Sequence, residues 1–181
     1  MRRKPWHSLS PGADAIVAPG QARTNPDRQT LLRLVIAVSR RSRENGNHPF
    51  GALLADADGQ VLLEAENSVV TTSDITGHAE TNLVREASQR LSSDVIARST
   101  MYASTEPCAM CAGALYWSGI GRLVYAMSEA DLLAVTGDHP ENPTLRLDCR
   151  TVFDAGQRDI EVIGPALPAE AMAEHDGFWT R

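Results

Sequence analysis

Two short motifs constrain the fold of this chain more than any other feature, because each brings metal-binding side chains to the start of a predicted helix. His78 is followed two residues later by Glu80, and Cys108 is followed three residues later by Cys111. Residues three apart on a helix share a face, so both cysteine sulfurs can bind one ion. The positive end of a helix also favours the thiolate that metal binding requires. The motifs therefore predict one metal site made by His78, Cys108 and Cys111.

Three protein ligands are typical of a catalytic zinc site, in which the fourth coordination position stays open for water. Residues two apart on a helix do not share a face, so we expect the Glu80 carboxylate beside the metal rather than on it. A carboxylate there can accept a proton from water and deliver protons to a ring nitrogen and a departing amine. The sequence predicts one Zn²⁺ per chain, with Glu80 as the catalytic acid and base.

A Cys-x-x-Cys pair can also be a redox-active dithiol or half of a structural zinc site, but a structural site needs a fourth protein ligand. The third cysteine, Cys149, lies far from the pair along the chain, and we predict that it is not a ligand. His48, His139 and His175 are predicted to be ordinary polar residues. Three cysteines cannot form a disulfide framework, which favours a reducing compartment and a thiolate metal site.

The charge of the chain argues against a polyanionic partner. The net charge is −6, and residues 26–181 alone carry 13 basic and 22 acidic residues. Proteins that bind a phosphate backbone usually carry a basic stripe, whereas the densest basic patch here is the short run at residues 40–43. The sequence contains no apolar stretch long enough to span a membrane. We therefore expect a cytoplasmic protein with a small-molecule substrate, and neither a membrane nor a nucleic acid as partner.

Hydrophobic periodicity and turn residues predict alternating helices and strands after a flexible N-terminal segment at residues 1–25. The predicted helices are residues 26–43, 78–91 and 108–117, and the predicted strands are residues 51–55, 61–65, 99–103 and 122–126. Weaker patterns indicate a helix at 128–135, a strand at 160–163 and a helix at 168–175. Residues 67–77 are predicted to form a polar loop. This order favours a single domain over residues 26–181, with helices on both faces of a sheet.

The chain resembles the cytidine deaminase superfamily, in particular the branch that contains guanine deaminases and tRNA adenosine deaminases. The resemblance rests on residues 48–52 (HPFGA), 77–80 (GHAE) and 104–117 (STEPCAMCAGALYW), and it covers about residues 26–127. H-x-E followed by P-C-x-x-C, with a glutamate that does not bind the metal, is the signature of zinc deaminases. The resemblance implies an α/β fold, a three-layer α-β-α sandwich with a mixed sheet of about five strands, and hydrolytic deamination of a nucleobase or nucleoside.

Four residues in the matching region are expected to contact the substrate: Phe50, Asn67, Ala79 and Trp117. In the families that this chain resembles, an asparagine at the end of the second strand binds the ring or ribose, although asparagine is also a common turn residue. Phe50 either stacks on the ring or belongs to the core. Trp117 would be a core residue by default, but its Leu-Tyr-Trp context resembles purine deaminases in which the tryptophan lines the pocket.

The turn-rich segment after the fourth strand and the C-terminus are candidate covers of the pocket. Asp138 and Glu141 either accept hydrogen bonds from the far edge of a ring or belong to a solvated acidic loop, and we include Asp138 among the substrate-binding residues. Phe178 and Trp179 are expected to be buried, over the site of a neighbouring subunit. Apolar helix faces and this aromatic C-terminus exceed what one small sheet can cover, which predicts a homodimer.

The leading hypothesis is deamination of a small purine-like base or related aminoheterocycle, with guanine as the first compound to test. The alternative is tRNA adenosine-to-inosine deamination, which the acidic charge disfavours. Cytosine or cytidine deamination uses the same shared motifs. A structural or interaction module that binds zinc would instead need a fourth protein ligand and would have no use for Glu80.

Overall fold

The structure is a computed structural model that describes residues 26–137 and 139–180, so the predicted flexible segment at residues 1–25 lies outside it. Within these ranges the chain forms eight helices and five strands. Their bounds are α1 Arg28–Glu44, β1 Gly51–Ala55, β2 Val61–Glu66, α2 Val69–Thr72, α3 Ala79–Arg90, α4 Ser93–Arg98, β3 Thr100–Thr105, α5 Ala109–Ser118, β4 Arg122–Met127, α6 Glu129–Thr136, α7 Cys149–Asp154, β5 Glu161–Ile163 and α8 Pro168–Ala173. None of these helices is both long and apolar enough to cross a bilayer.

The five strands form one mixed sheet in the order β2-β1-β3-β4-β5. β1 is antiparallel to β2 and β3, whereas β4 is parallel to β3 and β5. Thr105 at the end of β3 pairs with Met127 at the end of β4. The segments that lead into α5 and α6 therefore leave the sheet at the same edge, which brings the starts of these helices together.

Alternate residues of the central strands point to opposite faces of the sheet, as the two-residue period of a strand requires. Leu54, Met101 and Leu123 belong to a core cluster that packs against α3, α5 and α7. Their strand neighbours, including Leu53 and Tyr102, belong to a second cluster that packs against α1 and α8. The predicted α/β class and three-layer α-β-α sandwich are confirmed.

Helix α1 packs closely against the start of β1. A Cβ on Gly51 would lie 2.7 Å from the backbone nitrogen of Ser39, so a side chain at this position would force the helix away. One turn later the buried Ser42 hydroxyl donates hydrogen bonds to the carbonyl oxygens of His48 and Asn67, at 2.7 and 3.2 Å. α1 thus holds the two segments that lead into and out of the β1–β2 hairpin.

The strongly periodic elements agree with the sequence prediction to within about two residues at each boundary, which is the usual uncertainty of helix and strand ends. Three short helices were not predicted: α2, which lies inside the predicted polar loop, α4 and α7. Helices of four to six residues are too short to show a hydrophobic period. They are recognised instead by their caps, such as the Asp148 carboxylate that accepts a hydrogen bond from the Thr151 nitrogen at 2.8 Å.

Candidate metal centre and active site

His78 is the N-cap residue of α3. The loop between β2 and α3 is held by hydrogen bonds that set the position of the His78 imidazole. The Asn82 side chain, one turn into α3, donates hydrogen bonds to Glu66 O, Ser68 Oγ and Gly77 O at 2.9, 3.0 and 3.2 Å. A Cβ on Gly77 would lie 2.7 Å from the Ser68 hydroxyl oxygen, so glycine is needed where the loop closes on itself. These contacts fix the backbone immediately before His78.

Cys108 is the N-cap residue of α5, and Cys111 lies in the first turn of the same helix. One ligand atom from each of His78, Cys108 and Cys111 lies within 4.8 Å of the others. His78 Nδ1 is 3.7 Å from Cys108 Sγ, and the Thr81 hydroxyl is 3.3 Å from Cys111 Sγ. One imidazole nitrogen and two sulfurs are donors that zinc prefers, so these residues fit a single Zn²⁺ with one open coordination position. In the described part of the chain, Cys149 is not in this group.

The three ligand residues are electrostatically coupled. A hydrogen bond from the Cys111 thiol lowers the pKa of Cys108 to about 4, with a further contribution from His78. The hydrogen bond between His78 and Cys108 raises the pKa of His78, whereas the hydrogen bond between Cys111 and Cys108, together with burial, raises the pKa of Cys111. One thiolate is therefore already favoured before a metal binds. A divalent cation held by His78, Cys108 and Cys111 would supply the positive charge that favours the second thiolate.

Glu80 is the second residue of α3 and is only 7% exposed. It is not in the group of three ligand residues. It shares a small cavity of about 40 Å³ with His78 and Cys108. Burial raises the pKa of the Glu80 carboxyl above its ordinary value, because the charged form loses hydration. A carboxyl group that holds its proton more tightly and lies beside a metal site is suited to proton transfer.

A cavity of about 580 Å³ opens over the same site. His78, Cys108 and Phe50 line both this cavity and the smaller one that contains Glu80. Its outer wall is mostly apolar and includes four exposed side chains, those of Val70, Ile75, Met110 and Leu145. A mainly apolar cleft of this size with a few convergent polar groups is typical of a small-molecule site.

Two of the expected substrate-binding residues, Phe50 and Ala79, lie beside metal ligands, and a third, Asn67, hydrogen-bonds to residues of the cavity wall without lining the cavities itself. Phe50 lines both cavities, and Ala79, the first residue of α3, is fully buried with its side chain in the core. Asn67 is buried, and its Oδ1 accepts a hydrogen bond from the Val69 nitrogen at 3.0 Å, which fixes the direction of the amide. Its Nδ2 has no hydrogen-bond partner among the described residues. The structure thus contains a buried, oriented and unused N–H donor in a segment next to the cavity.

Two other expected substrate-binding residues are not brought to the site by the described chain. Trp117, on the last turn of α5, is 86% exposed and is not among the residues that line the cavities. Asp138 lies outside the described residues.

The C-terminal aromatic residues pack within this chain. The Trp179 ring lies 5.5 Å from His48 and 6.2 Å from Phe50, measured between ring centroids, and its Nε1 donates to His175 Nδ1 at 3.0 Å. Phe178 packs against Trp179 at 4.8 Å. The C-terminus is therefore adjacent to the wall formed by His48 and Phe50, both of which line the large cavity.

Two site residues were missed from the sequence, Glu129 and His48. Glu129, the first residue of α6, lines both cavities, and His48 lines the larger one. Glu141, a candidate from the sequence, also lines the larger cavity and lies 3.3 Å from His48. A sequence signal for Glu129 existed, because Ser128 and Asp131 form a capping box that starts α6 directly after β4. Burial, together with the nearby negative charge of Cys108, raises the pKa of Glu129 to about 7.

Known proteins match both the sequence and the fold. Residues 25–127 match the family described as the cytidine and deoxycytidylate deaminase zinc-binding region. A probable cytosine deaminase from Schizosaccharomyces pombe is 40% identical over 148 residues, which are 82% of this chain and 90% of that protein. Guanine deaminase from Bacillus subtilis is 33% identical over 106 residues, 58% of this chain and 67% of that protein. A solved structure of guanine deaminase from Nitrosomonas europaea has a TM-score of 0.72 at 22% identity, covers 92% of this chain and 97% of that one, and shows the shared fold.

Proposed function

The chain belongs to the cytidine and deoxycytidylate deaminase family of zinc-binding enzymes, and from this premise we propose that it hydrolyses the exocyclic amine of a free nucleobase and releases ammonia. One observation carries the proposal. The buried Glu80 carboxyl shares a small cavity with His78 and Cys108, and these two members of the ligand group also line the large, mainly apolar cavity. This arrangement combines a metal site, a proton carrier and room for a ring.

The catalytic step depends on proton transfer by Glu80. A zinc ion held by His78, Cys108 and Cys111 would make the attacking water more acidic, with a pKa of about 7. The Glu80 carboxylate accepts the proton of the attacking water and gives it to the ring nitrogen beside the attacked carbon. It then carries the second proton of that water to the amine, the carbon–nitrogen bond breaks, and a ring carbonyl and NH₃ are formed. Its raised pKa suits a group that must hold a proton between these steps.

Asn67 supports a substrate ring that carries a carbonyl group. Its Nδ2, which has no partner within the described part of the chain, belongs to a residue that hydrogen-bonds to Phe50 O and Val69 N, and both of these residues line the cavity. Cytosine and guanine carry a ring carbonyl that can accept from this donor, whereas adenine does not. From the sequence alone, guanine is the first compound expected. The probable cytosine deaminase matches a larger part of the chain than the guanine deaminase does, so we now place cytosine first and guanine second.

The surface arginines support a small substrate over RNA. The basic run identified in the sequence is already paired, because Arg40 binds Glu174 and Arg41 binds Glu64 and Glu66. Arg43 donates to backbone carbonyl oxygens in the C-terminal segment. Arginines committed to acidic partners leave little positive charge for the phosphate contacts that hold a polyanion.

The proposal predicts a ranking of substrates. The value of kcat/KM, measured by ammonia release from zinc-loaded protein, is expected to be at least about tenfold higher for cytosine or guanine than for adenine, because one hydrogen bond to a buried donor contributes about 1.5 kcal/mol. A tRNA anticodon stem-loop serves as the competing substrate in the same assay. If the stem-loop is the best substrate, the small-molecule proposal is wrong.

We also propose that the chain forms a homodimer. Trp117 and Met110 on α5 are 86% and 40% exposed, and exposed large apolar side chains of this kind mark protein interfaces. Light scattering at micromolar concentration is expected to give twice the chain mass of 19.6 kDa. Trp117→Lys should shift the mass toward that of one chain, and a wild-type monomer would contradict the proposal.

A further inference from the structure

Glu129 places an unused carboxylate in the cavity above the metal ligands. It lines the large cavity and the small one, in both cases together with His78 and Cys108. No hydrogen bond or ion pair joins its carboxylate to another group in residues 26–137 and 139–180, although neighbouring acidic residues such as Glu106 and Asp131 are paired. The ionised form of this group is a hydrogen-bond acceptor only, and the protonated form keeps an acceptor oxygen, so in either form an N–H group of a ligand is a suitable partner in the cavity.

The backbone of Glu129 is held from two sides. The Glu106 carboxylate, at the end of β3, accepts hydrogen bonds from the Glu129 nitrogen at 3.1 Å and from the Cys149 nitrogen at 3.0 Å. Ser128 and Asp131 form the capping box that starts the same helix turn. Glu106 is only 7% exposed and directly precedes the segment that leads to Cys108. These contacts fix the backbone that carries the Glu129 side chain, as in binding sites whose ligand-contacting groups are held in place by neighbouring hydrogen bonds.

We propose that Glu129 accepts a hydrogen bond from a ring N–H of the substrate and thereby makes the site select free bases over ring-N-substituted ones, with Glu106 as its positioning residue. The inference rests on the proposed function and deepens it. A free base carries an N–H at the ring nitrogen where a nucleoside carries its sugar. The same carboxylate that binds this N–H meets a carbon substituent in the nucleoside, with no hydrogen bond to offset its lost hydration.

The test compares a base with its N-methyl derivative. Whichever of cytosine and guanine the zinc-loaded wild type turns over faster is paired with 1-methylcytosine or 9-methylguanine. Glu129→Ala is expected to lower kcat/KM for the free base by about 10- to 100-fold, mainly through KM, as for a lost hydrogen bond to a charged group. It should leave kcat/KM for the methylated base unchanged or raise it. Glu129→Gln keeps the side-chain volume and is expected to give an intermediate ratio.

A second measurement does not depend on turnover. Calorimetry measures binding of the deaminated product, in which a carbonyl replaces the amine, and of the N-methyl form of that product. The wild type is expected to bind the unmethylated product more tightly, and Glu129→Ala should lose this preference. Glu106→Gln should reduce the selectivity ratio as well, whereas a merely structural role would lower binding of both compounds equally. The control is Glu170→Gln, which breaks only an exposed ion pair with Arg33.

The outcomes separate the two proposals. Equal losses on the free and methylated bases, or no change in Glu129→Ala, overturn the role of Glu129 while the proposed function stands. A wild-type protein that neither deaminates nor binds any of these bases overturns the proposed function, and the role of Glu129 with it.

Discussion

Glu80→Gln is expected to lower the turnover of this enzyme by about 100- to 10,000-fold while its zinc content and fold stay unchanged. General acid and base catalysis typically accelerates a reaction by about this factor, and here one carboxyl group serves successive proton transfers. The amide has nearly the same volume as the carboxyl group, so the packing of this residue, which is 7% exposed, is kept. The measurements are kcat for ammonia release, metal content by elemental analysis, and circular dichroism.

The same helix offers a matched control for this substitution. Glu86 lies on α3 and forms an ion pair with Arg90 across one helical turn. Glu86→Gln removes one carboxylate from the helix as Glu80→Gln does, but an exposed pair of this kind contributes less than about 1 kcal/mol. It should keep wild-type turnover and zinc content. Wild-type turnover in Glu80→Gln would show that another group carries the protons.

The metal ligands and the sandwich were predictable because their signals are local. Cys108 and Cys111 share a face through their spacing alone, and the strands around them show clear runs of apolar residues. The position of Glu80 beside the ligand group follows from the same helical geometry, because it is two residues from His78. The sheet is needed only to bring the start of α3 close to the start of α5. Strands that alternate with helices on one sheet commonly place helix starts side by side in this way.

The walls of the cavity could not be predicted because they come from segments far apart in sequence. His48 meets Glu141 across 93 positions, and Glu106 holds Glu129 and Cys149 across 23 and 43 positions. Such contacts depend on how distant segments come together in the fold, and they leave no periodic pattern in the chain. The position of Trp117 could not be predicted for a different reason. The helical pattern around it does not distinguish a side chain that lines a pocket from one that is 86% exposed.

His78→Ala, Cys108→Ala and Cys111→Ala are each expected to remove zinc and activity together. A three-ligand site that loses one donor binds a divalent ion far more weakly, and the remaining thiolate loses the charge that stabilises it. The wild type should hold about one zinc per chain. Each variant should also unfold at a lower temperature than the zinc-loaded wild type, because a ligand that binds only the folded state stabilises it.

Cys149→Ala is the control that separates ligand loss from the loss of any buried thiol. Cys149 is fully buried, yet its thiol is not in the ligand group, and its backbone nitrogen, which the substitution keeps, makes the bond to Glu106. This variant should therefore retain about one zinc and most of its turnover, with a small loss of stability from the missing sulfur. If Cys149→Ala lost zinc as Cys108→Ala does, the site would be a closed structural one with four ligands. A fully active wild type without metal would contradict the zinc chemistry altogether.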